Sequence, residues 1–292
     1  MNKNQIKIKR FENNPIIYPE MKGLEEEKGI NINGPSLIKV PDWVENPLGE
    51  YYLYFAHHGG EYIRLAYADE IEGPWNVYEP RTLNLAQTVC KGHVASPDVH
   101  VDNEQKEILM YFHGPSKTEG IFSEHNQLTY VAISRDGINF EVDNRVIAPF
   151  YFKRFKYKDY YYAIAKNRNT GGLLLRSKAK KKTFEYGKDF IERMRHAAVL
   201  KESDRLFIFF SRMGDKPERI LMTEINLKKN WLDWDPDPVI EIIKTEKEYE
   251  GVDYPVEKSI PGSIDQPVHQ LRDPAIFKEY NDLYLFYSVA GE

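Results

Sequence analysis

An all-β chain is what the sequence predicts, and a repeat within it refines that expectation to a five-bladed β-propeller. Aromatic residues make up 13% of the 292 residues, short β-branched and aromatic runs occur throughout, and long helical periodicity is missing. One segment type recurs five times: "YYLYFAHH" (51–58), "EILMYFHG" (107–114), "YYYAIAKN" (160–167), "RLFIFFSR" (205–212) and "DLYLFYSV" (282–289). A four-stranded unit returning roughly every 45 to 75 residues is the pattern of propeller blades, none of which buries its faces without neighbours. A two-sheet sandwich would not explain why the same strand order comes back.

The elements follow in order. First strands read "GPSLIKV" (34–40), "SPDVHVD" (96–102), "YFKRFKY" (151–157), "RHAAVLK" (195–201) and "RDPAIFK" (272–278), with turn-formers such as "NPLGE", "DNEQK", "KESD" and "EYND" before the second strands. Third strands follow in the first four units: "YIRLAYAD" (62–69), "LTYVAISRDG" (128–137), "GLLLRSK" (172–178) and "ERILMTEINL" (218–227). Weaker fourth strands are "WNVYEP" (75–80), "FEVDNRVI" (140–147) and "VIEIIK" (239–244). The whole chain, 1–292, reads as one propeller domain whose last blade is incomplete. "IKIKRF" (6–11) is expected to add an outer strand to it, and a third strand is unaccounted for, which reads as a chain continuing past Glu292.

Composition narrows the partners. A net charge of −5 with acidic and basic residues intermixed leaves no footprint for nucleic acid or an anionic membrane surface, and "KAKKK" (178–182) reads as a solvated turn. The N-terminal "MNKNQIKIKR" has no apolar core of a signal peptide, and no apolar run approaches the roughly 18 residues of a spanning helix. A single cysteine, Cys90, excludes an internal disulfide and fits a reducing compartment, so a cytoplasmic location is expected. No organic cofactor is expected, since neither G-x-G-x-x-G nor G-x-x-x-x-G-K-[ST] is present. A metal is not expected either, because no short ligand pair is present.

Inner strands of a propeller line its axis, so the residues that begin them converge. The five heads are Asn33-Gly34-Pro35, Ser96-Pro97-Asp98, Pro149 to Phe152, Arg195-His196 and Arg272-Asp273-Pro274. They bring two carboxylates (Asp98, Asp273), one histidine (His196) and two arginines (Arg195, Arg272) toward a common polar pocket. Asp98 and Asp273 are candidate catalytic carboxylates, and His196 a candidate acid whose ordinary pKa of about 6.5 lies near neutral. The competing reading makes both aspartates caps of backbone amides beside proline.

Substrate contacts are expected from His57 or His58, of which strand alternation lets one face the axis and His57 is preferred, and from His113 at the equivalent place in the second unit. His93 and His100 flank Asp98, and Tyr151, Phe150 and Trp43 are candidate stacking platforms. Arg64, an arginine among apolar neighbours, is read as reaching a carboxylate, or else as an ion pair within its blade. His125 is expected at the surface.

With these pieces, "SPDVHVD", "YADEIEGPW" (67–75) and "RDPAIF", the chain resembles the five-bladed propeller glycosidases, the group of arabinanases, β-xylosidases, levansucrases and invertases (glycoside hydrolase family 43-like). The resemblance covers nearly the whole chain. It implies an acid/base glycoside hydrolase acting on a small oligosaccharide or glycoside. Two departures stand against it: the family's aspartate before proline on blade one is replaced by Asn33-Gly34-Pro35, and its blade-three glutamate acid has no counterpart in "FYFKRFKYKDYYYAIAK". Histidine in the acid's place, as His196 would be, resembles propeller glycosidases acting on agar-derived sugars. The alternatives are a carbohydrate-binding propeller without catalysis and a sugar phosphorylase whose phosphate is held by Arg195 and Arg272. The sequence leaves the oligomeric state open.

Overall fold

The computed structural model describes residues 6–25, 30–264 and 266–292, and every regular element in them besides short 3₁₀ turns is a strand. The first sheet holds β1 (Asn33–Lys39), β2 (Tyr51–Ala56), β3 (Tyr62–Ala68) and β4 (Asn76–Val77), with β5 (Leu83–Asn84) also on β3. The second runs β6 (Ala95–Asp102), β7 (Glu107–Pro115), β8 (Gln127–Ser134), β9 (Glu141–Pro149), and the third β10 (Lys153–Tyr157), β11 (Tyr160–Asn167), β12 (Gly171–Ser177), β13 (Glu185–Glu192). The fourth is β14 (Met194–Glu202), β15 (Arg205–Arg212), β16 (Ile220–Asn226), β17 (Ile240–Ile243), and the fifth only β18 (Arg272–Glu279) and β19 (Asp282–Ser288).

All pairings are antiparallel and, β3–β5 apart, join consecutive strands, giving four complete propeller blades. The fifth unit is two-stranded among the described residues, in keeping with the incomplete last blade that the sequence predicts. Residues 6–11 form no ladder there. Arg10 turns instead to Glu250, donating to Oε1 at 2.7 Å and Oε2 at 3.1 Å, which draws the segment toward the 246–250 loop. β13 is not predicted by the sequence: only Phe190 of "EYGKDFIE" is buried, so no apolar run marks it.

Second strands are apolar on both faces because a blade is covered on both sides. Each interface is an apolar wedge. Sheets one to three share one cluster around Tyr54, Tyr111, Phe152 and Phe184; sheets three and four share Phe155, Tyr162, Phe210 and Trp234. Sheets four and five meet through Phe209, Met222 and Leu271, and sheets five and one through Leu53, Phe55, Ala275 and Phe286, so the ring is closed by packing. Burying such side chains is worth about 1.5–3 kcal/mol each.

Four inner strands start with the same irregularity. Asn33 faces Ala56 and Ser36 faces Tyr54; Ala95 faces His113 and Asp98 faces Tyr111; Met194 faces Arg212 and Ala197 faces Phe210; Arg272 faces Ser288 and Ala275 faces Phe286. In every case one extra residue is accommodated on the inner strand, a β-bulge that re-aims its side chains. Gly34, Ser96 and Asp273 occupy equivalent bulge positions with positive φ of 61°, 47° and 47°, and Tyr151 has φ 55° at the head of the third sheet.

Candidate active site at the propeller axis

The bulges decide which side chains meet. A small polar pocket of about 30 Å³ lies among the heads of the inner strands; Ser96, His113, His196 and Asp273 are its buried lining, and His58, His93, Gln127 and Tyr151 its more exposed lining. Asn33 and Glu292 complete it. The volume suits about one water molecule.

Asp273 is held where charge is costly. Its Oδ1 lies 3.2 Å from Nδ1 of His196, the same nitrogen stands 3.3 Å from the Asp273 backbone N–H, and Ser288 Oγ is 3.4 Å from Oδ2. Burial, followed by the neighbouring charge of Glu292, pushes its pKa up to about 7, against the pull of Arg272. Accepting from the Asp273 amide leaves the His196 ring proton on Nε2. Burial, and then the positive charges of Arg195 and Lys166, push His196 well below its ordinary value, so the ring is neutral at pH 7.

Glu292 is the second carboxylate, and it was not read from the sequence because nothing in "VAGE" marks it. Arg272 Nη1 donates to its Oε1 at 2.7 Å, Asn33 Nδ2 stands 3.5 Å from Oε2, and His58 Nδ1 lies 3.4 Å from Oε2. Burial alone would raise this carboxyl, but His58 and Arg272 outweigh it and hold it below its ordinary value. His58 is raised in return by its contact with Glu292. Two carboxylates in one pocket are thus displaced in opposite directions.

The arginines sit behind the pocket. Glu218, fully buried, takes Arg195 Nε at 3.1 Å and Arg272 Nε at 3.3 Å, and Arg195 also donates to Ser259 Oγ and the Ile260 carbonyl. Gln270 Oε1 accepts from Arg272. Both guanidiniums are engaged by protein groups, which corrects the expectation of a free phosphate clamp.

Asp98 is not beside Asp273. In "SPD" the carboxylate follows the proline, whereas in "RDP" it precedes it, so the bulge puts Ser96 in the place of Asp273 and moves Asp98 two residues along the strand. There it accepts from the Arg154 amide at 3.0 Å, meets His100 Nε2 at 2.7 Å and lies 3.6 Å from Lys153 Nζ. Burial opposes its ionisation, yet His100 and Lys153 hold it down to about 2. His100 stays in this pair between sheets two and three.

Of the paired histidines it is His58 that reaches the pocket; His57 turns the other way, its ring edge-on to Tyr62 at 5.6 Å, as alternation past β2 requires. His93, bonded to Gln127 at 3.1 Å, and His113, whose Nδ1 is 3.5 Å from the Tyr151 amide, line the pocket. Tyr151 lies between His113 (4.8 Å) and His196 (4.6 Å). Lys166, unforeseen in the sequence, stands 5.3 Å over the Tyr151 ring and 5.4 Å over Phe150, its pKa lowered by burial to about 8.

Three further expectations are corrected. Among the described residues Arg64 reaches no carboxylate: its Nη2 donates to the carbonyls of Asn31 and Ala56, and its guanidinium lies 4.9 Å over Phe55. His125 is buried against Phe122. Trp43 lies beyond the far end of β1 and donates to Asn103, away from the axis. Gly34 fills the blade-one head for a steric reason: a Cβ there would stand 3.1 Å from the Ser96 Cα.

Among the described residues no three His, Cys, Asp or Glu side chains are grouped to hold a metal ion, and no helix is long and apolar enough to cross a membrane.

No family model matches the chain. Solved structures share its fold at low identity. An exo-1,5-α-L-arabinanase from a bovine ruminal metagenomic library superposes with a TM-score of 0.59 at 10% identity, covering 90% of this chain and 89% of that one. A GH43 β-xylosidase/α-arabinofuranosidase from a compost microbial metagenome, in complex with xylotriose, gives 0.56 at 14% identity over 89% and 86%. An N-acetylgalactosamine deacetylase from F. plautii gives 0.59 at 10% over 89% and 80%, so the scaffold is not tied to one reaction. Sequence similarity is far stronger to Uncharacterized protein R118 of Acanthamoeba polyphaga mimivirus: 34% identity over 318 residues, covering 98% of this chain and 88% of that protein. The chain therefore belongs to the family of that mimivirus protein, built on the β-propeller fold of the GH43 glycosidases.

Proposed function

We propose that the protein is a glycoside hydrolase acting on a small oligosaccharide or glycoside at the axial pocket of a single propeller domain, with the two-stranded sheet as the inner half of a fifth blade. The observation that carries the reading is the Asp273/Glu292 pair. Glycoside hydrolysis needs one carboxyl that keeps its proton near neutral pH and one that stays ionised. Asp273, raised to about 7, suits the acid that protonates the leaving oxygen. Glu292, held ionised by Arg272 and His58, suits the nucleophile or the base that activates water.

His196 then positions Asp273 rather than donating the proton itself, since its neutral ring accepts at Nδ1. Asp98, at about 2 and engaged by His100, serves the blade interface. A sugar ring rests on the more exposed lining, against Tyr151, His58 and His93, with the scissile oxygen toward the buried lining. Partners beyond carbohydrate are not invoked, and buried Cys90 suits a reducing, cytoplasmic setting.

The test is turnover of a panel of nitrophenyl glycosides and short oligosaccharides, with and without phosphate, by the native protein, Asp273→Asn and Glu292→Gln. Each variant is expected to lose at least about a hundredfold in kcat, and added phosphate to change nothing. No turnover across the panel, alongside a sugar that raises the melting temperature, would assign a binding module instead.

A further inference from the structure

At the end of blade four nearest the axial pocket, arginines converge on one carboxylate. Met194 begins β14 just before pocket-lining His196 and pairs with Arg212, the last residue of β15. Arg193 precedes Met194, and its carbonyl accepts from the Met213 amide, so the two arginines leave neighbouring strands side by side. Both reach the same atom: Oδ1 of Asp215 lies 3.0 Å from Nε of Arg212 and 3.9 Å from Nη1 of Arg193. Oδ2 of Asp215 is taken by Nη1 of Arg219 at 3.1 Å. The carboxylate is buried, with 7% of its side chain exposed, while Arg193 has 46% in solvent.

Charge does not balance there. The three arginines share Asp215 and Glu241, which takes Arg219 Nε at 2.7 Å and also meets Lys244 at 3.7 Å. Lys258 adds a further cation: a Cβ on Gly214 would stand 2.9 Å from Arg193 Nη1 and 3.7 Å from Lys258 Cε. Arg193, Arg212, Arg219 and Lys258 against Asp215 and Glu241 leave at least two positive charges unmatched. Donors are unmatched too. Arg219 is occupied by Glu241, Asp215 and the Pro217 carbonyl, but among the described residues neither Nη group of Arg212 has a partner. Arg193 donates only from Nη1, to the Met213 carbonyl at 3.1 Å. The frame is fixed: Gly214 N–H donates to the Ser259 carbonyl and Ser259 N–H to that of Asp215, both at 2.9 Å. Ile191 and Arg193 hold positive φ of 51° and 57°, a conformation that bulky residues rarely keep without a functional reason.

We propose that Arg193 and Arg212, with Lys258 beside them, bind a doubly charged oxyanion, sulfate or phosphate, free or as an ester on a sugar. The planar guanidinium fork matches two oxygens of such a group. Asp215 is the positioning residue: it draws both forks together and supplies too little charge to satisfy them. A carboxylate ligand would meet only one of the surplus charges. The site is independent of the reaction at the axis, since none of these four residues lines that pocket.

Titration of the 292-residue protein with sodium sulfate, sodium phosphate and the sulfate and phosphate esters of glucose tests it, at an ionic strength held constant with sodium chloride. Heteronuclear NMR of backbone amides and arginine Nε–H groups reads the site directly. The Gly214 amide and the Nε–H signals of Arg193 and Arg212 should shift and saturate, and Arg193→Met and Arg212→Met should each weaken binding at least about tenfold. Arg193→Met, at an exposed position, should leave the anion-free melting temperature unchanged. An ester that binds more tightly than its inorganic anion assigns the group to a sugar; an ester that binds no more tightly assigns the free anion. Shifts that follow ionic strength alone overturn the proposal. Saturable binding that survives in the double variant Arg193→Met/Arg212→Met overturns it too, by placing the anion elsewhere.

Discussion

Asp273 and His196 come from adjacent sheets and meet at 3.2 Å through Oδ1 and Nδ1, with the backbone N–H of Asp273 aimed at the same imidazole nitrogen. A carboxyl so enclosed prefers its neutral form, and several measurable consequences follow from the bulge that puts it there.

Raising the Asp273 pKa from 3.8 to about 7 means the folded state binds its proton more tightly than the unfolded state does. The stability tied to that proton is complete below about 4 and is lost as pH rises to about 7. Against Asp273→Asn, which cannot ionise, the native protein should lose on the order of 2–4 kcal/mol across that window. Urea midpoints of the two proteins from pH 4 to 8 check this; a gap that does not change with pH would refute it.

Asp98 carries the opposite sign. Held down to about 2 from 3.8, it stabilises the fold above pH 4, and that contribution fades as pH falls toward 2. Asp98→Asn should cost about 2 kcal/mol at pH 7 and progressively less in acid. Sugar binding and any turnover should be retained, because the residue lies between blades and not in the pocket.

Arg272 neutralises two carboxylates at once, Glu218 and Glu292. Arg272→Met should destabilise by about 3–5 kcal/mol, since it leaves buried charge uncompensated. Calorimetry at pH 7 measures it, and a loss below about 1 kcal/mol would show the network to be far better hydrated than its burial implies.

Restoring a carboxylate at the blade-one head should fail. Gly34 has φ 61°, and a Cβ would press on Ser96 at 3.1 Å. Gly34→Asp should cost at least about 1–2 kcal/mol from backbone strain alone and bring no gain in turnover. A rise in hydrolysis of the glycoside panel would mean that Glu292 does not hold the role given to it here.

The strand order of the first four units, the second strands and the incompleteness of the fifth sheet were legible in the sequence, because apolar runs and turn residues act locally. So was the convergence of the inner-strand heads, since any ring of blades brings them to one axis. β13 escaped because a solvent-facing outer strand needs no apolar pattern. The N-terminal segment escaped because its alternation resembles a strand, while the partner that claims Arg10, Glu250, is 240 residues away in the chain.

The pocket's membership was decided by tertiary structure. The one-residue bulge shared by these inner strands turns the residue before the proline into the pocket, so Asp273 lines it while Asp98, which follows its proline, does not. Glu292 joined because Arg272, His58 and Asn33 surround it. Local sequence sets which way a strand alternates and where the chain turns. Which carboxylates share a dielectric, and so which keeps its proton, depends on distances that exist only once the blades close around the axis.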